Sequence, residues 1–340
     1  MDKLRHYLYT HLNVLFFSIF IPLFTIASVI FMIKLATYTA IIQLNISEMG
    51  KLYLFVLPEL FFYTLPIAFV IAGALSLYRL SNDNEMVVVF SLGISPTFLL
   101  RILAIPALLL TLVLFVDYLV VTPYIKSISK NFINQKQAEA KFNLTASEFG
   151  HNFGDWMLFI NQSNNNARAY GDVVLFNKNL KEEILLVAHK AELLNEQGNL
   201  QLRLSDGEGY TYNAETFKRM QYKTLIINDV IESDEIPYTN TLDYWTSPID
   251  HEYRNRLLTT NALLSLLPAL SLFLIVALGV VHARHQKRWI YLWLFLSIVL
   301  FYAGSMLLYQ WLLLWTIPIF STLWLMITYG FYRRLVGNRF

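Results

Sequence analysis

Cysteine is absent from the 340 residues. Disulfides, thiol nucleophiles and thiolate metal sites are therefore excluded. Charge is scarce too: Asp, Glu, Lys and Arg make up 15% of the chain, against roughly 25% in soluble domains. Hydrophobic residues make up 56% and the mean hydropathy is +0.47. A water-soluble fold needs polar residues to cover its surface, so this balance fits a chain solvated largely by lipid. The net charge of +2 gives no bulk attraction to nucleic acid. A Walker loop is also missing. It needs Gly-Lys followed by Ser or Thr, so that backbone amides cradle phosphate and the hydroxyl holds magnesium. The one Gly-Lys pair, Gly50-Lys51, is followed by Leu52. His282 and His285 lie in a basic loop without further ligands nearby, so neither a metal nor a cofactor is expected. No nucleophile triad or catalytic carboxylate pair stands out, and the chain reads as non-catalytic.

What is abundant is long uncharged runs. An apolar core of about 30 Å takes about 20 helical residues to cross. Leu12–Ile33, Leu60–Tyr78, Ile102–Val121 (interrupted only by Asp117) and Leu257–Val281 each meet that length. Trp289–Tyr332 carries no charge and is long enough to cross twice, with a hairpin near Tyr309-Gln310-Trp311. The first run is too long for a signal-peptide core and reads as a retained helix. The sequence thus predicts six transmembrane helices. Lys3, Arg5, Arg79, Arg101, Arg284, Lys287, Arg288, Arg333, Arg334 and Arg339 flank one side, and Lys34 and Lys51 the short loops of the other. The positive-inside rule then puts both termini in the cytoplasm and the long insert outside.

That insert, 123–256, holds most of the acidic residues and over half of the basic ones. Ile125–Phe142 is polar and continues the third helix. Strand patterns follow at Asp155–Ile160, Gly171–Phe176, Glu183–Ala188, the alternating Gly198–Leu204 and Tyr222–Ile227, with a turn at Asp206-Gly207. About seven short strands point to a sandwich or jelly roll. The expected organisation is helices one to three over 1–122, the β-rich domain over 123–256, and helices four to six over 257–340.

The loop between the second and third spans, Arg79 to Pro96, is the most informative segment. Asn82 and Glu85 have capping-box spacing, Gly93 can end a helix, and Ser95-Pro96 fits an N-cap and first helical position. A short helix near 81–92, with an acidic start and an apolar face, fits a groove on a cytoplasmic partner or rests on headgroups. Leu65-Pro66, Leu77-Tyr78-Arg79-Leu80, Asn84-Glu85-Met86 and Gly93-Ile94-Ser95 resemble the LptF/LptG permease family of the lipopolysaccharide exporter. Gln137-Ala138-Glu139-Ala140-Lys141 is closer to the LptF branch. The resemblance covers essentially the whole chain. It implies a bacterial inner-membrane protein paired with a second permease of the same family and bound to a cytoplasmic ABC ATPase dimer. It also implies a periplasmic β-jelly roll that passes lipopolysaccharide to periplasmic bridge proteins of similar fold. The loop becomes the coupling helix, with Asp83, Asn84, Glu85, Met86 and Phe90 as the ATPase-coupling residues.

The resemblance also makes Lys34 and Lys51 candidates for lipid headgroup phosphates, whereas the residues alone fit lysines snorkelling to the interface. Asp117 and Glu59, near outer helix ends, fit wetted interfacial carboxylates better than a proton relay. Pro22, Pro66, Pro106, Pro268 and Pro318 interrupt spans and can kink them. Asn45, Asn143 and Asn161 each begin an Asn-x-Ser/Thr triplet, which a bacterial setting makes irrelevant. Two rivals stay open: a mechanotransmitting ABC subunit, commonly with four spans, and a membrane enzyme acting on lipid-linked sugars, which needs an acidic or histidine cluster at the outer face.

Overall fold

The computed structural model describes residues 2–39, 44–141, 151–153, 156–164, 169–178, 183–196, 199–213, 216–229, 241–246, 251–280 and 289–337. His282, His285 and their basic loop, and the triplet at Asn143, lie outside them. Two compact units emerge: a helical unit of Met1–Thr37, Ile46–Ser127 and Tyr238–Phe340, and a sheet unit of Tyr38–Asn45 and Ile128–Pro237.

The helical unit begins with α1 (Asp2–Thr39), α2 (Ile46–Asn82), the short α3 (Glu85–Ser91) and α4 (Pro96–Val116). A π-helical turn, Asp117–Val121, leads from α4 into α5 (Thr122–Lys141). After the sheet come α6 (Thr241–Thr246), α7 (His251–Leu270), α8 (Leu272–Gly279), α9 (Ile290–Leu312) and α10 (Thr316–Tyr332). The helix Asp2–Thr37, the helix Ile46–Asn82 and the continuous helix Pro96–Ile133 are each long and apolar enough to cross a membrane. α7 and α8 meet the same test as one span bent by 45°, at Ser271, three residues after Pro268 inside α7. The stretch Ile290–Gly337 is also long and apolar enough, and it folds back on itself. Phe301 and Phe320 have ring centroids 5.1 Å apart, whereas a straight helix would separate them by about 28 Å. The reversal is at Leu313, with φ 50, just beyond the expected Tyr309–Trp311 hairpin. Thr316 Oγ1 donates to the Leu313 carbonyl at 2.5 Å. The described residues thus hold four helices long and apolar enough to cross a membrane, five with the bent pair, the last of them folded back on itself, and a β domain is inserted in the middle of the helical protein.

Small residues let α2 and α8 approach closely. Ala68, Ala72 and Ala74 on α2 and Ala277 on α8 are fully buried. A Cβ on Gly279 would lie 2.5 Å from Leu77 Cβ and 2.9 Å from the Ala74 carbonyl oxygen. Lipid is as apolar as leucine, so helices in a membrane associate by close packing of this kind rather than by escape from water. Ser81 Oγ donates to the Gly279 carbonyl at 3.0 Å, which ties the end of α2 to the end of α8.

The sheet unit holds β1 (His151–Phe153), β2 (Trp156–Asn164), β3 (Ala169–Lys178), β4 (Glu183–Glu196), β5 (Asn199–Asn213) and β6 (Thr216–Asp229). All described pairings are antiparallel between strands adjacent in sequence, in the order β1-β2-β3-β4-β5-β6. The described strands therefore form a meander. The two-sheet crossovers that define a jelly roll are not among the described pairings. Among the described residues the strands run up to 15 residues, longer than expected, because the expected turn at Asp206-Gly207 lies inside β5. Gly207 pairs with Ala188 on β4 and with Tyr222 on β6.

What looked like a turn is one point on a seam that crosses the sheet. On one side of it the inward row runs through the buried Ile160, Val173 and Ala188 to the half-buried Gly207 and Tyr222. On the other the row runs Tyr170, Ala191, Leu204, Leu225. The inward position thus steps by three residues from Ala188 to Ala191 and from Gly207 to Leu204, where a regular strand steps by two. Between the rows Asn161, Asp172, His189, Asp206 and Lys223 drop out of the paired register, and all five are exposed. Asp172 (φ 47) and Asp206 (φ 51) take the left-handed conformation that Asp tolerates. The shared half-step keeps one face apolar on both sides of the seam. Leu158, Leu175, Leu186, Leu202 and Leu204 form its core.

Candidate functional site

The segment after α2 folds differently in detail from its expected form. α2 runs on through Asn82, so the capping box between Asn82 and Glu85 does not form. Asn84 instead precedes α3 with φ 63 and makes no side-chain cap. Gly93 ends the element with φ 79, its N–H donating to the Phe90 carbonyl at 3.0 Å, and Ser95 in extended conformation leads into Pro96. α3 is therefore a seven-residue helix between two left-handed joints.

The helical spacing divides its side chains. Met86 is buried and Phe90 packs partly against the same core. Asp83, Asn84, Val87, Val88 and Leu92 are exposed, and Glu85 is half-buried. Two residues expected to meet a partner thus face the protein's own core. Val87, Val88 and Leu92, which were not singled out, present the apolar outer face. The spacing of Met86 and Phe90, four apart, would have marked them as one face. Glu85 Oε2 accepts a hydrogen bond from the Tyr7 hydroxyl of α1 at 2.7 Å.

A second site lies at the opposite end of the helical unit, where α2, α7 and α9 enclose a cleft of about 620 Å³. Leu257, Leu264 and Phe301 give it apolar walls, while Arg256, Tyr63, Tyr302 and Tyr309 add a cation and hydroxyls. Tyr309 reaches across from α9 to donate to the Glu252 carbonyl of α7 at 3.2 Å. The Arg256 guanidinium lies 5.7 Å from the centre of the Tyr253 ring. This combination suits an amphipathic ligand with an anionic head. Its residues come from three separated helices, so no local pattern announces it.

α6 braces the same end of the unit. Trp245 Nε1–H donates to the Leu119 carbonyl at 3.0 Å, within the π-helical turn. The Arg254 side chain is buried, donates to the Tyr244 carbonyl and stacks 5.0 Å from that ring. Asp117 opens the π-helical turn, and its Oδ2 is buried without a hydrogen-bond partner among the described residues. Lys34 is exposed near the end of α1. Lys51 is exposed as well, but it lies within the second turn of α2 rather than in a loop. Glu59 is half-buried on α2. Among the described residues no group of three or more His, Asp or Glu is placed to hold a metal ion.

The family model described as lipopolysaccharide export system permease LptF/LptG matches residues 6–331. No curated protein matches the chain.

Proposed function

We propose, from the premise that the chain belongs to the LptF/LptG family of lipopolysaccharide export permeases, that it couples ATP-driven motion at α3 to lipid held at the opposite end of its helices. Membership makes it a permease component and a multi-pass inner-membrane protein. The observation that carries the finer reading is α3. A seven-residue helix with exposed Val87, Val88 and Leu92 beside the Glu85 carboxylate stands between two spans.

In this reading a dimeric cytoplasmic ABC ATPase docks on the outer face of α3. Asp83, Asn84 and Glu85 supply polar contacts, and Val87, Val88 and Leu92 supply apolar ones. Met86 and Phe90 then act on the inner side, pressing movement of α3 into the helical core. The excess of basic residues in the segments flanking this end supports cytoplasmic termini and a periplasmic sheet unit. A second permease of the family pairs with this one within the membrane, and the two enclose a cavity open to the outer leaflet. Acyl chains lie along apolar walls such as those of the outer cleft. Arg256 holds a headgroup phosphate, with Lys34 and Lys51 at the rim. Each buried CH₂ is worth about 0.8 kcal/mol, so drawing several chains from a bilayer requires energy supplied by the ATPase. The lipid then passes to the sheet unit, whose apolar face shields it on the way to bridge proteins of similar fold.

The test is lipid release from vesicles containing the chain, its second permease and the ATPase. Glu85→Ala is expected to lower release about tenfold, the loss of one charge-assisted contact, while the chain stays folded and membrane-inserted. Normal release would remove Glu85 from the coupling role.

A further inference from the structure

Only 6% of the most apolar stretch of α1 is buried, where it meets α2 along one face through Phe20 and Phe24 on Phe61 and Ser28 on Tyr53, whereas its first turns are held firmly. Leu8 and Leu12 are buried beside Leu77 of α2 and Leu99 of α4. The Tyr9 hydroxyl donates to the Ile102 carbonyl of α4 at 3.1 Å, and the Arg5 guanidinium stands 6.0 Å from the centre of the Phe98 ring. These contacts join α1 to α2 and α4. The Tyr7 hydroxyl makes a different connection, donating to Glu85 Oε2 of α3 at 2.7 Å. The Tyr7 ring is set in place by His11 one turn later, with centroids 4.5 Å apart.

We infer that Tyr7 is a positioning residue that ties α3 to α1, so that movement of the short helix is delivered directly to the span with the least protein around it. This rests on the proposed docking of an ATPase at α3. An O–H to carboxylate hydrogen bond is short, directional and stronger than a neutral one. A carboxylate has two oxygens with several lone-pair sites, so Glu85 can hold Tyr7 through Oε2 while Oε1 receives a basic group of the docked partner. The left-handed joints at Asn84 and Gly93 let α3 turn as a unit. The tie converts that turn into displacement of α1. The exposed face of α1 carries Phe17, Ile21, Ile26 and Ile30, so displacement of α1 passes to whatever borders that face, lipid or the second permease.

The experiment uses the full chain in nanodiscs, alone and assembled with the second permease and the ATPase. The natural chain has no cysteine, so Thr10→Cys on α1 and Ser91→Cys on α3 supply its only thiols for a spin-label pair. Adding Tyr7→Phe removes the hydroxyl and keeps the ring. The expected result is a broader distance distribution between the labels. In the assembled complex, ATP hydrolysis continues while the ATP consumed per lipid released rises about fivefold. A distribution unchanged by Tyr7→Phe overturns the tie, whether or not an ATPase co-purifies. A proportional fall in hydrolysis and release, at constant ratio, also overturns it, because it indicates a structural role alone. Failure to recover any ATPase with the chain refutes the docking reading instead, and the distances measured on the chain alone still decide the tie.

Discussion

The helical unit and the sheet unit bury their apolar side chains for different reasons, and α1 and α2 show why. The two helices have similar length and similarly hydrophobic central stretches, yet 67% of the most apolar stretch of α2 is buried against 6% of that of α1. Hydropathy does not distinguish them; shape does. α2 presents Ala68, Ala72, Gly73, Ala74 and Ser76, while α1 presents the exposed Phe17, Ile21, Ile26, Ile30 and Ile33. In lipid a bulky apolar face is already solvated, so packing goes to the helix whose small residues admit a neighbour. In the sheet unit, with its many charged residues, water penalises every exposed apolar side chain. There the backbone bends to comply, and the seam at Asp172 and Asp206 keeps Leu175 and Leu186 on the same buried face as Leu204.

The sharpest way to break this contrast is to place bulk where α2 meets α8. Gly279→Leu pushes a side chain into Leu77 and the Ala74 carbonyl and is expected to cost about 3 kcal/mol. Ile30→Ala on the exposed face of α1 is expected to cost less than about 0.5 kcal/mol. Thermal unfolding of the two purified variants, followed by tryptophan fluorescence, compares them directly. Equal shifts would mean that apolar area rather than close packing holds the helices together.

In the sheet unit the corresponding lesion is at the seam. A Cβ on Gly207 would lie 2.3 Å from the Val187 carbonyl oxygen, and 2.5 Å from the Tyr222 hydroxyl. Gly207→Ala is therefore expected to destabilise this unit by about 2 kcal/mol, read as faster proteolysis within the insert while the helical unit stays resistant. Tyr222 covers the glycine and donates to the same carbonyl at 3.0 Å. Tyr222→Phe keeps the ring and is expected to cost about 1 kcal/mol, one net hydrogen bond. A Tyr222→Phe loss as large as that of Gly207→Ala would place the stability of the seam in its polar contact rather than in its fit.

The spans were legible because lipid imposes a length and forbids charge, so uncharged runs mark them. Their ends were less so. Lys51 reads as loop because hydropathy detects only the embedded part of a helix, whereas α2 begins at Ile46 with turns that carry Glu48 and Lys51. The bend at Ser271 was hinted at by Pro268, but the sequence alone did not place it. The strands β2 to β6 were each found from a short apolar or alternating core. Their true lengths were hidden, since Asp206-Gly207 has the chemistry of a turn and only cross-strand pairing turns it into a seam. The same limit applied at the candidate sites. The α3 segment stood out by its own residues, but the partner of Glu85 lies 78 positions away at Tyr7. The walls of the outer cleft are spread across three helices. Contacts between distant positions leave no periodic trace in a single sequence.

The smallest expected effect isolates the role of water in the sheet unit. Glu208 on β5 accepts from Arg219 Nη2 at 2.6 Å and Nε at 3.1 Å, from the Tyr210 hydroxyl at 2.5 Å and from Gln221 at 3.1 Å. These donors, Arg219 foremost, lower its pKa from 4.5 to about 2. A carboxylate with a lowered folded-state pKa contributes stability above its unfolded value, and that contribution is lost as pH falls through the folded one. The window here runs from about 4.5 down to about 2. The cluster is open to solvent, so screening keeps the effect small. Glu208→Gln removes the titration and keeps the size of the side chain. The unfolding midpoint of the natural chain should exceed that of the variant near neutral pH, and the gap should close between pH 4.5 and 2. A gap that stays constant over this range would assign the contribution of Glu208 to packing across β5 and β6. The sheet would then hold this corner as α2 and α8 hold theirs, by fit rather than by charge.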